Sequence, residues 1–183
     1  MILTRGIVAR IGLLLLAGVI LQTGFFSAIS LFGGTPNFLP VLVVCLGLLG
    51  GAVLGAVCGF SAGLLLDSAL LQTLGVSSLV LLAVGYLAGR YREAFEISSP
   101  LVPPALAAGL TLFGSSVYAS IQLMLGVDAP ISLLVIREIL FQTVISFVLA
   151  IPTYPAVRWI LRPALVEGTP RRGTGARSPI TAA

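Results

Sequence analysis

Long runs without a charged residue constrain this chain more than any other feature. No Asp, Glu, Lys or Arg occurs at 11–66, at 68–89 or at 97–127. A soluble domain carries about 25% charged residues because water must wet its surface, whereas this chain carries 9%. Lipid must therefore be the solvent for most of the surface, and the chain is predicted to be an integral membrane protein.

The type of membrane-crossing element follows from hydrogen bonding. Backbone groups in a bilayer must pair within the protein, so only helices or a closed barrel can cross it. Barrel strands alternate apolar and polar residues over about ten positions. Residues 11–21 and 79–82 are instead apolar on every face. The sequence therefore predicts an all-α membrane protein.

Breaks in the apolar runs give the number of helices. One membrane-spanning helix needs about 20 residues, and Gly and Pro interrupt the first run at 33–37 and again at Gly50-Gly51. We read the second break as a tight hairpin. The predicted spans are a first helix after Arg10, followed by 38–49, 52–71, 76–89, 101–125 and 131–151, which makes six.

The arginines give the orientation. Apart from Arg137, which lies within the sixth span, nine arginines precede the first span, follow the fourth or follow the sixth: Arg5, Arg10, Arg90, Arg92, Arg158, Arg162, Arg171, Arg172 and Arg177. With six spans they all lie on one face, which should be cytoplasmic, and both termini lie there too. The loops of the opposite face, at 33–37, 72–75 and 126–130, contain no Arg. A single span over 38–66 is the alternative; it gives five spans and removes this bias.

The two ends of the chain differ from the spans. We expect a six-helix transmembrane domain at 1–163 and a basic, disordered cytoplasmic tail at 164–183, because Gly, Pro, Ser, Thr and Arg bury too little apolar surface to fold. Such a tail would be attracted weakly to anionic lipid. The apolar N-terminal stretch is also typical of a signal peptide, but residues 21–26 lack the usual small-residue cleavage site.

Few residues are available for chemistry. The chain has no His and no Lys, and Cys45 and Cys58 lie in different predicted spans, where small buried hydrophobic residues are expected. It contains no phosphate-binding loop of the P-loop pattern and no acidic pair spaced to hold a divalent ion. The sequence therefore predicts no catalytic residue, no cofactor and no metal site, and a protein that is not an enzyme.

A glycine ladder begins in the second predicted span and continues through the third. Gly47, Gly51, Gly55, Gly59 and Gly63 recur every four residues, and Asp67 continues the register. Four-residue spacing aligns positions on one face of a helix, and small residues there let another helix approach closely. The neighbour is either a helix of the same bundle or a partner protein. Asp67 either has a functional role within the membrane or caps the amides of the turn that follows it.

A second polar cluster is predicted in the last two spans. Glu138, Gln142 and Ser146 recur every four residues, and Arg137 lies next to Glu138. Adjacent helical residues point about 100° apart, so Arg137 and Glu138 do not form an ideal pair with each other. The fifth span adds Ser115, Ser116, Tyr118 and Gln122. The two spans are predicted to meet through hydrogen bonds or to line a polar pocket.

Four segments carry a resemblance to a known family. They are PNFLPVLV at 36–43, GAVCGFSAGLLLD at 55–67, LGV at 74–76 and GYLAGR at 85–90. In this order and spacing they resemble the rod shape-determining protein MreD, whose family shows a Pro-led second span, a G-x-x-x-G-F-x-x-G-L-x-x-D stretch, a Leu-Gly, and a Gly-Tyr-Leu-x-Gly before basic residues. The match is good over about 36–92. Elsewhere it is limited to similar length and apolar spans.

The resemblance implies a function. MreD proteins are non-enzymatic components of the bacterial elongation machinery, located in the inner membrane, that support side-wall peptidoglycan synthesis and cell shape. The implied partner is the bitopic protein MreC, and through it the RodA glycosyltransferase, a class B penicillin-binding protein and the MreB filament. The lipid bilayer is a further expected partner. No nucleic acid is expected as a partner.

The same resemblance supplies the alternative function. The family's fold is similar to the six-helix substrate-binding subunits of energy-coupling-factor transporters, which implies that this chain could instead bind a vitamin. Those subunits usually carry an Ala-x-x-x-Ala motif on the first helix. Here Ala9, Ala17 and Ala28 are not four residues apart, which disfavours the alternative. A channel or transporter would normally show an internal repeat, and none is recognised.

Overall fold

The structure is a computed structural model. It describes residues 5–26, 37–70, 75–95, 99, 101–126 and 133–166, and the side chains within these ranges except at 5–7, 25–26, 133–136 and 162–166. The described residues form six α-helices: α1 (Arg5–Leu21), α2 (Phe38–Gly50), α3 (Ala52–Leu70), α4 (Val76–Ala94), α5 (Val102–Met124) and α6 (Leu133–Val166). The predicted all-α fold with six helices is confirmed.

The turn between α2 and α3 is a single residue. Gly51 has a φ of +92°, which lies in the region that favours glycine. It ends α2 and lets the chain fold back, so that a Cβ added to Gly55 would lie 2.9 Å from the Cα of Gly47. The predicted helix break at Gly50-Gly51 is therefore present, and the run 38–66 is not one helix.

Two helices extend beyond the predicted spans. α4 continues through Arg90 and Arg92 to Ala94, because a charge ends an apolar run without ending a helix. α6 continues through Pro152 and Pro155 to Val166, so the prediction that it ends before Pro152 is wrong. Within a helix, proline removes one backbone donor and crowds the carbonyl one turn earlier, but membrane helices tolerate it because neighbouring groups satisfy the freed backbone.

The first helix has a modified end. α1 already begins at Arg5, so that Arg5 and Arg10 lie within it, and it passes into a π-helical segment, Gln22–Phe26. The side chain of Gln22 extends from this segment to the start of α2, where its Oε1 accepts a hydrogen bond of 2.7 Å from the N–H of Phe38. The first two helices are thereby joined at one end.

α2 is the central helix of the fold. It contacts all five other helices, and every residue from Leu39 to Leu49 is buried. Its 13 residues span roughly 20 Å, less than the roughly 30 Å of a hydrocarbon core. Because its neighbours surround it, a short helix can occupy this position without exposing backbone to lipid.

Within the described chain, three helical segments are long and apolar enough to cross a membrane: Ala52–Leu70, Val102–Met124 and Arg137–Leu161. Two shorter apolar segments are Val8–Gly24, which runs from α1 into the π-helical segment, and Phe38–Gly50 in α2. α4 ends in charged residues. The predicted loop residues 33–36, 72–74 and 127–130, and tail residues 167–183, lie outside the described residues. Residues 164–166 of the predicted tail belong to α6.

Candidate functional site

The glycines predicted to form a helix-packing face lie against α4. A Cβ added to Gly59 would lie 2.6 Å from the carbonyl carbon of Leu81, and one added to Gly63 would lie 2.5 Å from the backbone nitrogen of Ser78. Carbon atoms in ordinary contact are 3.5–4.0 Å apart. Both positions are therefore sites of backbone-to-backbone contact, where any side chain would force the two helices apart.

The contact is reciprocal at Gly55 and Gly85. A Cβ on Gly55 would lie 2.8 Å from the carbonyl carbon of Gly85, and a Cβ on Gly85 would lie 2.7 Å from that of Gly55. Gly89 repeats the pattern against the backbone of Gly51 and Ala52. Both helices thus contribute glycines, so the small-residue face has its partner within this chain.

Gly47 of α2 also packs against the backbone of Gly85 in α4. A Cβ on Gly47 would lie 2.7 Å from the carbonyl oxygen of Gly85 and 3.1 Å from the Cβ of Ala88. The ladder predicted from the sequence is therefore divided between two helices by the turn at Gly51. Gly47, Gly55 and Gly85 bring α2, α3 and α4 together at one point.

Asp67 caps α4. It is 1% exposed, and its Oδ2 accepts a hydrogen bond of 2.8 Å from the N–H of Gly75, the residue that precedes α4, and one of 3.4 Å from the Oγ of Ser78. The first amides of a helix have no partner within it and carry partial positive charge. The carboxylate of α3 satisfies both requirements at the start of α4.

Glu93 has the matching role at the other end of the hairpin. Its Oε1 accepts a hydrogen bond of 2.9 Å from the N–H of Ala52, the first residue of α3, and its Oε2 lies 3.7 Å from a guanidinium nitrogen of Arg90. Arg92 donates to the carbonyl oxygen of Leu49 at the end of α2. Residues of α4 therefore cap both helix ends that meet at Gly51.

The sequence prediction missed Glu93. From the sequence alone, Arg90 and Arg92 indicate only the orientation of the spans, and Glu93 has no predicted role. A usable signal was present nevertheless: a one-residue turn leaves helix amides and carbonyls without partners. In an antiparallel arrangement, the charged end of α4 is the nearest source of donors and acceptors for that turn.

The predicted polar cluster of α6 is only partly assembled. Ser115 Oγ donates a hydrogen bond of 2.9 Å to Gln142 Oε1, which joins α5 to α6. Ser146 is fully buried, and its Oγ has no hydrogen-bond partner among the described residues. Arg137 is exposed and Glu138 is half-buried, and neither forms an ion pair within the described part of the chain. Of the four predicted residues, one therefore links the two helices.

The described residues include no group of three His, Cys, Asp or Glu side chains that could hold a metal ion. Cys45 and Cys58 are both buried and unpaired. The interactions that distinguish this region are therefore backbone contacts and helix caps, which fix the relative positions of α2, α3 and α4.

The chain was compared with known protein families, curated proteins and solved structures. The family of rod shape-determining protein MreD matches residues 5–163, which include every residue of this candidate site. No curated protein and no solved structure matches the chain. Since the family match extends over most of the sequence, this chain belongs to the MreD family of rod shape-determining proteins.

Proposed function

We propose that this protein is a non-enzymatic scaffold of the bacterial elongation machinery, in which it binds an MreC-like bitopic membrane protein. Membership of the MreD family carries the proposal, because it ties the chain to rod shape determination. Through the bitopic partner the scaffold would support RodA, a class B penicillin-binding protein and the MreB filament in side-wall peptidoglycan synthesis.

The proposed topology is six spans in the inner membrane with both termini in the cytoplasm. The helix ends support it. Arg92 meets Leu49 beside the α2–α3 turn, so this turn lies at the same end of the bundle as Arg90. Alternation of six helices then brings Arg158, near the end of α6, to that end as well. An excess of Arg at one end is the pattern expected of a cytoplasmic face.

The partner-binding surface must lie outside the glycine face, since Gly55, Gly59 and Gly63 are covered by α4. We propose the exposed polar strip formed by Ser116 and Ser120 of α5 and Arg137 of α6. Ser115 lies beside Gln142. Because α5 and α6 run antiparallel, Ser120, five residues after Ser115, lies at the level of Arg137, five residues before Gln142.

The charge of Arg137 favours this surface as the binding site of the partner. A charged residue in a membrane helix is unfavourable unless it is paired or reaches the interface. Among the described residues Arg137 has no acidic partner, so a carboxylate or a polar group of a second protein would complete its interactions. Ser116 and Ser120 are small, which would let a single helix approach α5 closely.

A pair of arginine variants tests this surface. Arg137→Leu should reduce recovery of the bitopic partner on affinity purification of the tagged protein from membranes. Arg158→Leu, which also replaces an exposed arginine of the same helix, is the control and should leave recovery unchanged. Equal recovery with Arg137→Leu and the wild-type protein would exclude this surface.

The vitamin-binding alternative requires a concave pocket with several polar groups aimed at one ligand. The groove described below has apolar walls apart from Tyr91, which does not favour such a ligand. A ligand at a hundred times its dissociation constant would stabilise the fold by about 2.7 kcal/mol. We expect no such shift in melting temperature with riboflavin, thiamine or biotin.

A further inference from the structure

A groove of about 300 Å³ lies between the end of α4 and the beginning of α5. Its walls are Tyr91, Val102, Ala105, Leu106, Gly109 and Leu110. Ala105 and Gly109 are exposed, and a Cβ added to Gly109 would meet no atom within 4 Å. Glycine in a helix is less stable than alanine by about 1 kcal/mol, and no described contact within this chain explains why Gly109 is needed here.

The groove is about as long as one leaflet is deep. From Val102 to Leu110 the helix rises roughly 12 Å, and half of a hydrocarbon core is roughly 15 Å. Beyond that, the bulky side chains of Leu112 and Phe113 are 40% and 44% exposed. A helix crossing the whole membrane would meet these side chains, whereas an extended chain from one leaflet would end before them.

A cation is the immediate sequence neighbour of one wall residue of the groove. Arg90 precedes Tyr91, and its side chain is 62% exposed. Its charged neighbours on α4 are engaged elsewhere: Arg92 donates to Leu49, and Glu93 accepts from the N–H of Ala52. The exposed ion pair between Arg90 and Glu93, at 3.7 Å, is of a kind that contributes little free energy. An anionic group could therefore compete for Arg90.

We propose that this groove binds one anionic phospholipid, with an acyl chain along Ala105 and Gly109 and the phosphate group at Arg90. The inference rests on the proposed topology, which places Arg90 at the cytoplasmic leaflet, where anionic lipids attract basic residues. Apolar walls of one-leaflet length fit the acyl chain, and the exposed guanidinium fits the phosphate.

Native mass spectrometry of the full-length protein in mild detergent can test the site. The probes are dioleoylphosphatidylglycerol and dioleoylphosphatidylcholine, which share acyl chains and differ in net charge. Since one basic residue near anionic lipid contributes about 1 kcal/mol, the wild-type protein should bind phosphatidylglycerol about fivefold more tightly. Gly109→Leu should weaken binding of both lipids, whereas Arg90→Gln should lower phosphatidylglycerol binding to the level of phosphatidylcholine.

Three controls distinguish this site from general lipid adhesion. Gly12→Leu fills another exposed helical glycine that has open space around it and should bind both lipids normally. Arg158→Gln removes an exposed charge elsewhere and should keep the preference. Ala105→Leu is a second groove-filling change, and circular dichroism and gel filtration confirm that each variant is folded.

Several results would overturn the proposal. The first is that the Gly109→Leu and Ala105→Leu proteins both bind the lipids as tightly as the wild-type protein. The second is that the wild-type protein shows no preference for phosphatidylglycerol. The third is that Arg158→Gln and Arg90→Gln lose this preference equally. A Gly109→Leu protein that keeps its lipids and loses its bitopic partner would assign the groove to a protein helix instead. Failure of the lipid test alone leaves the proposed scaffold function intact, because partner recovery is measured separately.

Discussion

Asp67 and Glu93 cap each other's helices. Asp67, near the end of α3, accepts a hydrogen bond from Gly75 at the start of α4, while Glu93, near the end of α4, accepts one from Ala52 at the start of α3. The two carboxylates therefore close the antiparallel pair at both ends. Between them, the glycines hold the two backbones in contact.

Removing either cap should destabilise the fold. Asp67→Ala and Glu93→Ala should each lower the free energy of unfolding by about 1 kcal/mol, because a helix-end amide loses its acceptor. Asp67→Asn, which keeps an acceptor oxygen, should lose less. The two sites are at opposite ends of the helix pair, so their effects should add in the double variant.

Thermal unfolding in detergent can measure these effects. Ser68→Ala is the control, since Ser68 is exposed and its Oγ donates only to the carbonyl oxygen of Leu65 in its own helix. A Glu93→Ala protein as stable as Ser68→Ala would show that the contact with Ala52 contributes nothing to stability.

The close contact of α3 and α4 predicts intolerance of even one methyl group. Gly59→Ala should destabilise the protein by about 1–3 kcal/mol, the usual range for overpacking, because the new Cβ would overlap the backbone of Leu81. Gly24→Ala should be neutral, since open space surrounds that position. Equal melting temperatures for the two variants would contradict the observed backbone contact.

Two double-mutant cycles should give different results in the α5–α6 region. Ser115 and Gln142 are hydrogen-bonded, so Ser115→Ala and Gln142→Ala should be coupled by about 0.6 kcal/mol, a typical value for membrane helices. Arg137 and Glu138 share no ion pair in the described structure, and Arg137→Leu with Glu138→Leu should be additive. Coupling in the second cycle and none in the first would reverse this assignment.

Cysteine labelling with an impermeant reagent tests the proposed topology. In a variant with Cys45 and Cys58 replaced by Ala, external reagent should modify Thr35→Cys and Asp128→Cys. It should not modify Arg90→Cys, because the arginine-rich face is assigned to the cytoplasm. Modification of Arg90→Cys from outside intact cells would contradict the assignment of the arginine-rich face to the cytoplasm.

The helices were largely predictable from the sequence because charges and Gly-Gly breaks mark the ends of apolar runs. Their full lengths were not. The predicted end of α6 is wrong because Pro152 is expected to stop a helix, whereas membrane helices tolerate an internal proline. α4 was predicted too short because its last turns are charged.

The candidate site was predictable in part. Four-residue spacing aligns Gly55, Gly59 and Gly63 on one face, but spacing along one helix does not identify the neighbouring helix, which is α4. The four-residue spacing extends back to Gly47, but the hairpin predicted at Gly50-Gly51 separates Gly47 from the α3 face, and spacing does not show that Gly47 also contacts Gly85. Glu93 was missed since its acceptor role depends on Ala52, which lies far from it in sequence.

We propose that this protein acts by holding a bitopic membrane protein in the elongation machinery. Affinity purification of the tagged full-length chain from membranes of its own host, in mild detergent with mass spectrometry of the companions, tests it most directly. We predict recovery of an MreC-like protein with a single membrane helix, reduced by Arg137→Leu and retained with Arg158→Leu. Absence of any such protein, together with a rise in melting temperature on adding a vitamin, would contradict the claim.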